Sequence, residues 1–463
     1  MLPEGERKMK KYEIDMTQGS LFKNIVTFSI PLMLSGILQL LYNAADVVVV
    51  GRFAGSDSLA AVGSTSSLFN LLLNLFMGFA TGTSVLVARA YGSKNNAEVS
   101  KTVHTAITLS VIFGVSLGAI GFIIARPVLL IMGTPENVIE KATLYIRILF
   151  MGMPAKSVYN FGSAILRSVG DTKRPLYFLT VSGLFNVVAN LFFVIAFHMD
   201  VAGVATATIM AEYISATLVM LCLIKSEGSY RVMPKRIRIY KKQFVEMLKV
   251  GIPAAIQGCI FSISNVLIQS SINLFGSVAM AGSSVSGNLE GFVYTSMSAV
   301  YQGAITSTGQ NLGARNFKRI KKTLWTCLVV VSGFGLLMTA VITLFREPII
   351  GIYTSEADVM EYAIKRLNFV MLPYVMCGIM EISSGIMRGM GHAVTPMVVS
   401  ILGACGVRIL WLATVFQAYK TFEVLFLCYI VSWTITTLAH QVCIFFAFRK
   451  LKKTLGEDVA VNG

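Results

Sequence analysis

Few residues in this chain can do chemistry, and most of them stand inside long apolar stretches. Asp46 lies six residues before Arg52, about 9 Å from it along a helix. Lys156 lies eleven residues before Arg167, about 16 Å away by the same rise. Glu212, Glu290, Glu381 and Arg408 are placed likewise, with Asn43, Asn265 and Gln269 as neutral polar companions. Such charges are costly in a bilayer unless they face a cavity or a partner, so each is a candidate for substrate or ion handling. Asn186 and Asn190 are four apart and share one helix face, and Thr208 can join them from the next apolar stretch. A carboxylate among amide and hydroxyl oxygens suits a hard monovalent cation or a proton. The structural alternative is a pair of buried ion pairs, Lys156–Asp46 and Arg408–Glu381. His440, Trp325 and the scattered methionines read as packing elements.

Other chemistry finds no support. There is no HExxH, GxSxG or paired-Asp motif at suitable depth, so no enzyme activity and no cofactor are expected. No G-x-x-x-x-G-K-[ST] motif offers a nucleotide site. The seven cysteines stand singly in apolar segments, without a CxxC pair, so neither a zinc site nor a disulfide framework is read.

The elements that must position these residues follow from composition. Of 463 residues, 55% are hydrophobic and 13% charged, against about a quarter charged in soluble domains. Such a chain cannot wet its own surface, but it can face lipid. Twelve stretches are long enough to span a bilayer: 22–50, 58–88, 102–125, 142–165, 175–197, 201–224, 244–272, 279–310, 323–345, 360–386, 396–418 and 421–448. Pro31, Pro154, Pro253 and Pro373 fall inside them, as membrane helices tolerate. Connections after even-numbered spans are basic, the longest running through Lys225, Arg231, Lys235, Arg236, Arg238, Lys241 and Lys242; those after odd-numbered spans are short or mixed. Lysine and arginine concentrate on the cytoplasmic side. The reading is a multi-pass protein of the cytoplasmic membrane with both termini inside. The polar start, with Arg7, Lys8, Lys10 and Lys11, lacks the apolar region of a cleaved signal peptide. The net charge of +16 is then topogenic and faces anionic lipid, and nucleic acid is not an expected partner.

The chain also repeats itself. FSIPLMLSG around Pro31 matches VGIPAAIQG around Pro253, which sets Asn43 on Asn265. ARAYG (88–92) lies over GQNLG (309–313), and LRSVGDTKRP (166–175) over MRGMGHAVTP (387–396), all at offsets of 219 to 222. Six spans return the chain to its starting side, so the halves share orientation, as in a parallel repeat with a pseudo-two-fold axis along the membrane normal. The expected fold is an all-α membrane protein of about twelve helices in two six-helix lobes. It divides into a cytoplasmic segment (1–20), a first lobe (21–224), a basic linker (225–243), a second lobe (244–448) and a cytoplasmic tail (449–463).

LLYNAADVVVVGRFAG (40–55), LAAVG (59–63), AILRSVGDTKRP (164–175) and TGQNLGARN (308–316) resemble the multidrug and toxic compound extrusion transporters, over residues 20 to 448. The resemblance implies a central cavity open alternately to each side, and export of amphipathic, often cationic, compounds driven by inward Na⁺ or H⁺. It implies that Asp46 is the coupling-ion or proton site, with Asn186, Asn190 and Thr208 beside it. Where members carry a second carboxylate on the fifth helix this chain has Asn190, and Glu212 stands as a substitute for it. Glu290 matches an acidic position linked to substrate or coupling; Asn43, Lys156, Glu212, Asn265, Gln269, Glu381 and Arg408 complete the candidates for a cavity or second coupling site. The protein is expected to work as a monomer, with Na⁺ as the one possible bound ion. A lipid-linked precursor flippase is the competing function, and it should show a cavity rich in Arg and Lys.

Overall fold

The computed structural model describes residues 12–461, without the side chains of Ser56, Ser67 and 453–461. The basic residues Arg7, Lys8, Lys10 and Lys11 lie outside the described residues, as do the ends of the expected cytoplasmic segment and tail. Every regular element among the described residues is helical. In the first half they are α1 (Leu21–Phe53), α2 (Ser56–Gly92), α3 (Asn96–Ile131), α4 (Glu136–Ser168), α5 (Lys173–Leu191, continued by a π turn Phe192–Ala196) and α6 (Asp200–Lys225). A 3₁₀ turn (Pro234–Arg236) precedes α7 (Lys241–Asn273), α8 (Ser277–Gly313), α9 (Phe317–Leu344) and the short α10 (Arg346–Gly351). Then come α11 (Ala357–Val370), α12 (Tyr374–Gly389), α13 (Val394–Ser400), a π turn (Ile401–Gly406), α14 (Val407–Ala413), α15 (Val415–Tyr419) and α16 (Phe422–Val461).

Nine of these helices are long and apolar enough to cross a membrane, ten if α11 and α12, bent by 49°, form one span. α4 and α8 are as long but more polar, α4 carrying Arg147 and Lys156 and α8 a run of serine, threonine and glycine. With them the count reaches the expected figure of about 12. The departures from expectation are breaks. The span read as 360–386 is the bent pair, interrupted at Met371–Pro373, and the span read as 396–418 is divided by a π turn and at Thr414. Proline removes a backbone donor and clashes with the preceding turn, which accounts for the first break.

The chain clusters into two compact units. Among the described residues, one holds 12–19, Ile30–Ala255 and Gly313–Arg315; the other holds Ser20–Ser29, Ile256–Leu312 and 316–461. In the first unit α4 packs against α2, α3 and α6, and α5 against α6. Small residues let α3 and α4 approach closely, as is usual between membrane helices: a Cβ on Gly118 would lie 2.8 Å from the Phe150 carbonyl oxygen. In the second unit α12 packs on α9 and α16 around an aromatic core with Phe422, Phe426, Tyr429 and Trp433. Trp325, expected as a packing residue, instead projects from α9 with 61% of its surface exposed.

The Arg-x-x-Gly-Asp-x-x-x-Pro motif gains a physical meaning at the end of α4. Gly170 has φ +92°, and its missing side chain leaves room for the backbone of Ile14. Asp171 pairs with Arg174, which reaches the Tyr230 hydroxyl at 3.3 Å. The Tyr91 and Tyr230 hydroxyls each donate to Glu13 at 2.7 Å, so residues 13 and 14 are strapped to the first unit. Burial pushes the Tyr230 phenol up from its ordinary range, and the Glu13 carboxylate adds to the effect.

Candidate functional site

The first unit gathers Asp46, Asn186, Asn190 and Thr208 from three helices. Asp46 accepts a hydrogen bond from Asn190 Nδ2, while the Thr208 hydroxyl donates to the Val204 carbonyl at 2.9 Å. Asn190 Nδ2 also faces Asn186 Oδ1 at 3.4 Å, and Asn186 Nδ2 donates to Thr208 Oγ1 at 3.3 Å. Both asparagines are buried. The four-residue spacing on α5 puts their amides on one face, and the missing side chain of Gly183 on that helix admits the ring of Tyr42 from α1. Buried polar atoms normally find partners, yet Asn190 Oδ1 is buried with none among the described residues. Two amides, a hydroxyl and a carboxylate therefore converge with one acceptor to spare. That donor set fits a proton on Asp46 or a Na⁺ held by Asp46, Asn190 and Thr208.

Lys156 is not the partner of Asp46, contrary to the ion pair considered from the sequence. Its Nζ lies 2.7 Å from Glu212 Oε1 and 4.1 Å from the centre of the Phe69 ring. The reason is local. Gly152, one turn before Lys156 on α4, has no side chain, and its missing Cβ would lie 2.6 Å from Glu212 Oε2. α4 and α6 can thus close around the pair, whose side chains are 11% and 15% exposed. Thr208 and Glu212 are four apart on α6, so the pair stands one turn from the Asp46 cluster.

In the second unit Glu290 is buried and held by Arg366 through two hydrogen bonds, at 2.7 and 2.8 Å. Arg366 also donates to the Ser283 carbonyl at 3.1 Å. The sequence reading missed this arginine; its depth, six residues into the span starting at 360, was the available signal. The second expected pair, Arg408–Glu381, does not form. Arg408 donates to Ser432 Oγ at 3.2 Å, with its guanidinium 4.3 Å from the Tyr429 ring and 5.7 Å from that of Trp433. Aromatic faces of α16 thus replace the carboxylate, and Glu381 makes no ion pair among the described residues. Arg388, buried on α12, donates to Gln257 Oε1 at 2.7 Å and to the Tyr301 hydroxyl. Asn43, Asn265 and Gln269 are exposed, and Gln269 donates to Asn273 one turn on at 3.1 Å. His440 is buried, as a packing residue should be.

A repeated helical membrane protein with buried charges inside its spans has the build of a transporter. The comparisons narrow the class. The family model described as MatE matches twice, over residues 31–192 and 253–414, one match to each repeat. The chain belongs to the MatE family of transporters. Among its relatives is "Probable multidrug resistance protein YoeA" of Bacillus subtilis (strain 168), 31% identical over 88% of this chain and 89% of that protein. "Probable multidrug resistance protein YpnP" of the same strain is 27% identical over 85% of this chain and 88% of that one. The fold matches a solved structure, "Outward-facing conformation of a multidrug resistance MATE family transporter of the MOP superfamily", with TM-score 0.89 and 21% identity over 98% of this chain and all of that one.

Proposed function

We propose that this protein is a secondary antiporter that exports amphipathic, cationic organic compounds in exchange for inward H⁺ or Na⁺. It would work by alternating access in the cytoplasmic membrane, with both termini inside. The names of its relatives support multidrug efflux as the coarser reading. The observation that carries the finer one is Asp46. Its nearest candidate counter-charge, Lys156, is engaged by Glu212, so Asp46 is the carboxylate of the first unit's span interior left to amides and a hydroxyl. A cation or proton taken up there changes the charge of the site by one and biases a two-state bundle.

The flippase reading draws on Arg388 and Arg408, which are buried without a carboxylate ion pair among the described residues. That feature suits an anionic headgroup, whereas the excess negative charge around Asp46 suits cations. The test is a proteoliposome assay under imposed H⁺ and Na⁺ gradients, with ethidium in one arm and a fluorescent lipid-linked pyrophosphate in the other. Gradient-driven ethidium movement is expected. Movement of ethidium that ignores both gradients, or of the lipid alone, sinks the antiport reading.

A further inference from the structure

The Lys156–Glu212 pair is not something the architecture requires. By the repeat, Asp46 stands opposite Ile268 and Lys156 opposite Cys377, while offsets of 219 to 222 set Glu212 against residues 431–434, none of them ionisable. Ile268, Cys377 and Trp433 belong to one apolar core cluster of the second unit. The same fold thus fills the places of Asp46 and Lys156 with hydrophobic side chains, and that of Glu212 with an uncharged one. A buried ion pair is seldom more stabilising than such a filling, so stability alone gives no reason for three charged residues here.

The chemistry around the ammonium supplies one. Lys156 Nζ has a carboxylate at 2.7 Å on one side and an aromatic face at 4.1 Å on the other. A carboxylate with an aromatic ring is how proteins recognise organic cations, and here a tethered cation occupies that place. Glu212 stands one turn from Thr208 on α6, and Thr208 is bonded through Asn186 and Asn190 to Asp46, so the ammonium and both acids share one neighbourhood. The other groups facing Asp46 are the amides of α5 and Thr208. The lysine's long, flexible stem allows movement between two partners.

We propose that Glu212 and Phe69 form a binding site for the organic cation, and that Lys156 is a built-in competitor which links this site to Asp46. With a proton or Na⁺ on Asp46, Lys156 rests on Glu212 and excludes the substrate. When that cation leaves, Lys156 moves to Asp46 as a charged ammonium, and Glu212 is freed for the substrate cation. Net charge balances in each half of the exchange: Asp46 is neutralised first by the coupling cation and then by Lys156, Glu212 first by Lys156 and then by the substrate. The inference rests on reading Asp46 as the coupling residue.

The test is binding of radiolabelled tetraphenylphosphonium to the purified full chain, across pH in Na⁺-free buffer and across Na⁺ at fixed pH. Lys156→Met should bind at least about tenfold tighter under conditions that load Asp46, and its affinity should no longer respond to pH or Na⁺. Glu212→Gln should lose about tenfold or more. Asp46→Asn, permanently neutral, should bind weakly at every pH, and Asp46→Asn with Lys156→Met should regain affinity. Lys156→Gln repeats the key measurement should the methionine variant fail to fold. Wild-type affinity and pH response in the folded Lys156 variant would overturn the proposal and leave a structural pair. Failure of the underlying reading looks different: wild-type binding would ignore both pH and Na⁺, and Asp46→Asn would match it.

Discussion

Asn190 of α5 donates its side-chain N–H to Asp46 of α1, across 144 positions of chain. The contact holds a carboxylate inside a span without a counter-charge of its own, since Lys156 is committed to Glu212. Replacing Asp46 by Asn removes the titratable group but keeps its size and one acceptor oxygen. Asp46→Asn should therefore insert and fold like the wild type by size-exclusion profile, while gradient-driven transport falls by at least about a hundredfold, nearly 3 kcal/mol in transport terms. Transport above a tenth of wild type would count against a coupling role.

Partner choice in the first unit makes a second prediction. Because Lys156 pairs with Glu212, Glu212→Gln strands an ammonium while Asp46 carries its proton or Na⁺, and stranding one member of a buried pair costs about 3–5 kcal/mol. The partial exposure of both side chains puts the expected loss toward the lower end. Glu212→Gln should lower the melting temperature in detergent, and Lys156→Met added to it should restore most of the loss. With Asp46 loaded, Asp46→Asn should not rescue Lys156→Met stability, as it would if those two were partners in that state.

Glu290 and Arg366 are expected to act as a structural unit. Arg366→Met leaves the buried Glu290 uncompensated and should destabilise by about 3–5 kcal/mol, whereas Glu290→Met with Arg366→Met should come close to neutral. Thermal unfolding of the full chain in detergent reads the difference. If the double variant melts no higher than the single one, the pair is not acting as a unit.

Gly170 offers a test of the strap at residues 13 and 14. Its φ of +92° strains any residue with a side chain, at about 1–3 kcal/mol, and the added Cβ would meet the Ile14 backbone. Gly170→Ala should lower the melting temperature and expose the segment around Asp15 to protease. Gly391, also at positive φ, has no atom within 4 Å of where a Cβ would stand. Gly391→Ala should therefore cost backbone strain alone.

Topology is checked by labelling. In a variant freed of its seven native cysteines, a cysteine at Lys235 should react with an impermeant thiol reagent only in inside-out vesicles. A cysteine at Glu136 should react only in intact cells. The reverse pattern would invert the assigned orientation.

Membrane class, repeat and the shared face of Asn186 and Asn190 were legible in the sequence because each depends on spacing along the chain, whereas the place of Asp46 beside them followed from the family resemblance. Poverty of charge persists whatever the tertiary arrangement, and the two copies of the repeat can be aligned by eye. Asn186 and Asn190 share a face because they are four apart on one helix, and the depth of Asp46 follows from a constant rise per residue. Partner choice is a different quantity. It depends on how far each helix is turned about its axis and how closely its neighbours approach. Gly152 lets the Glu212 carboxylate reach Lys156, and the aromatic face of α16 takes Arg408 from Glu381. Neither is visible in the local pattern of either helix. Arg366 lies on α11 and Glu290 on α8, so their two hydrogen bonds depend on how those two helices pack. Partner choice is settled by ångströms, and here the packing of α4 on α6 and of α14 on α16 supplied it.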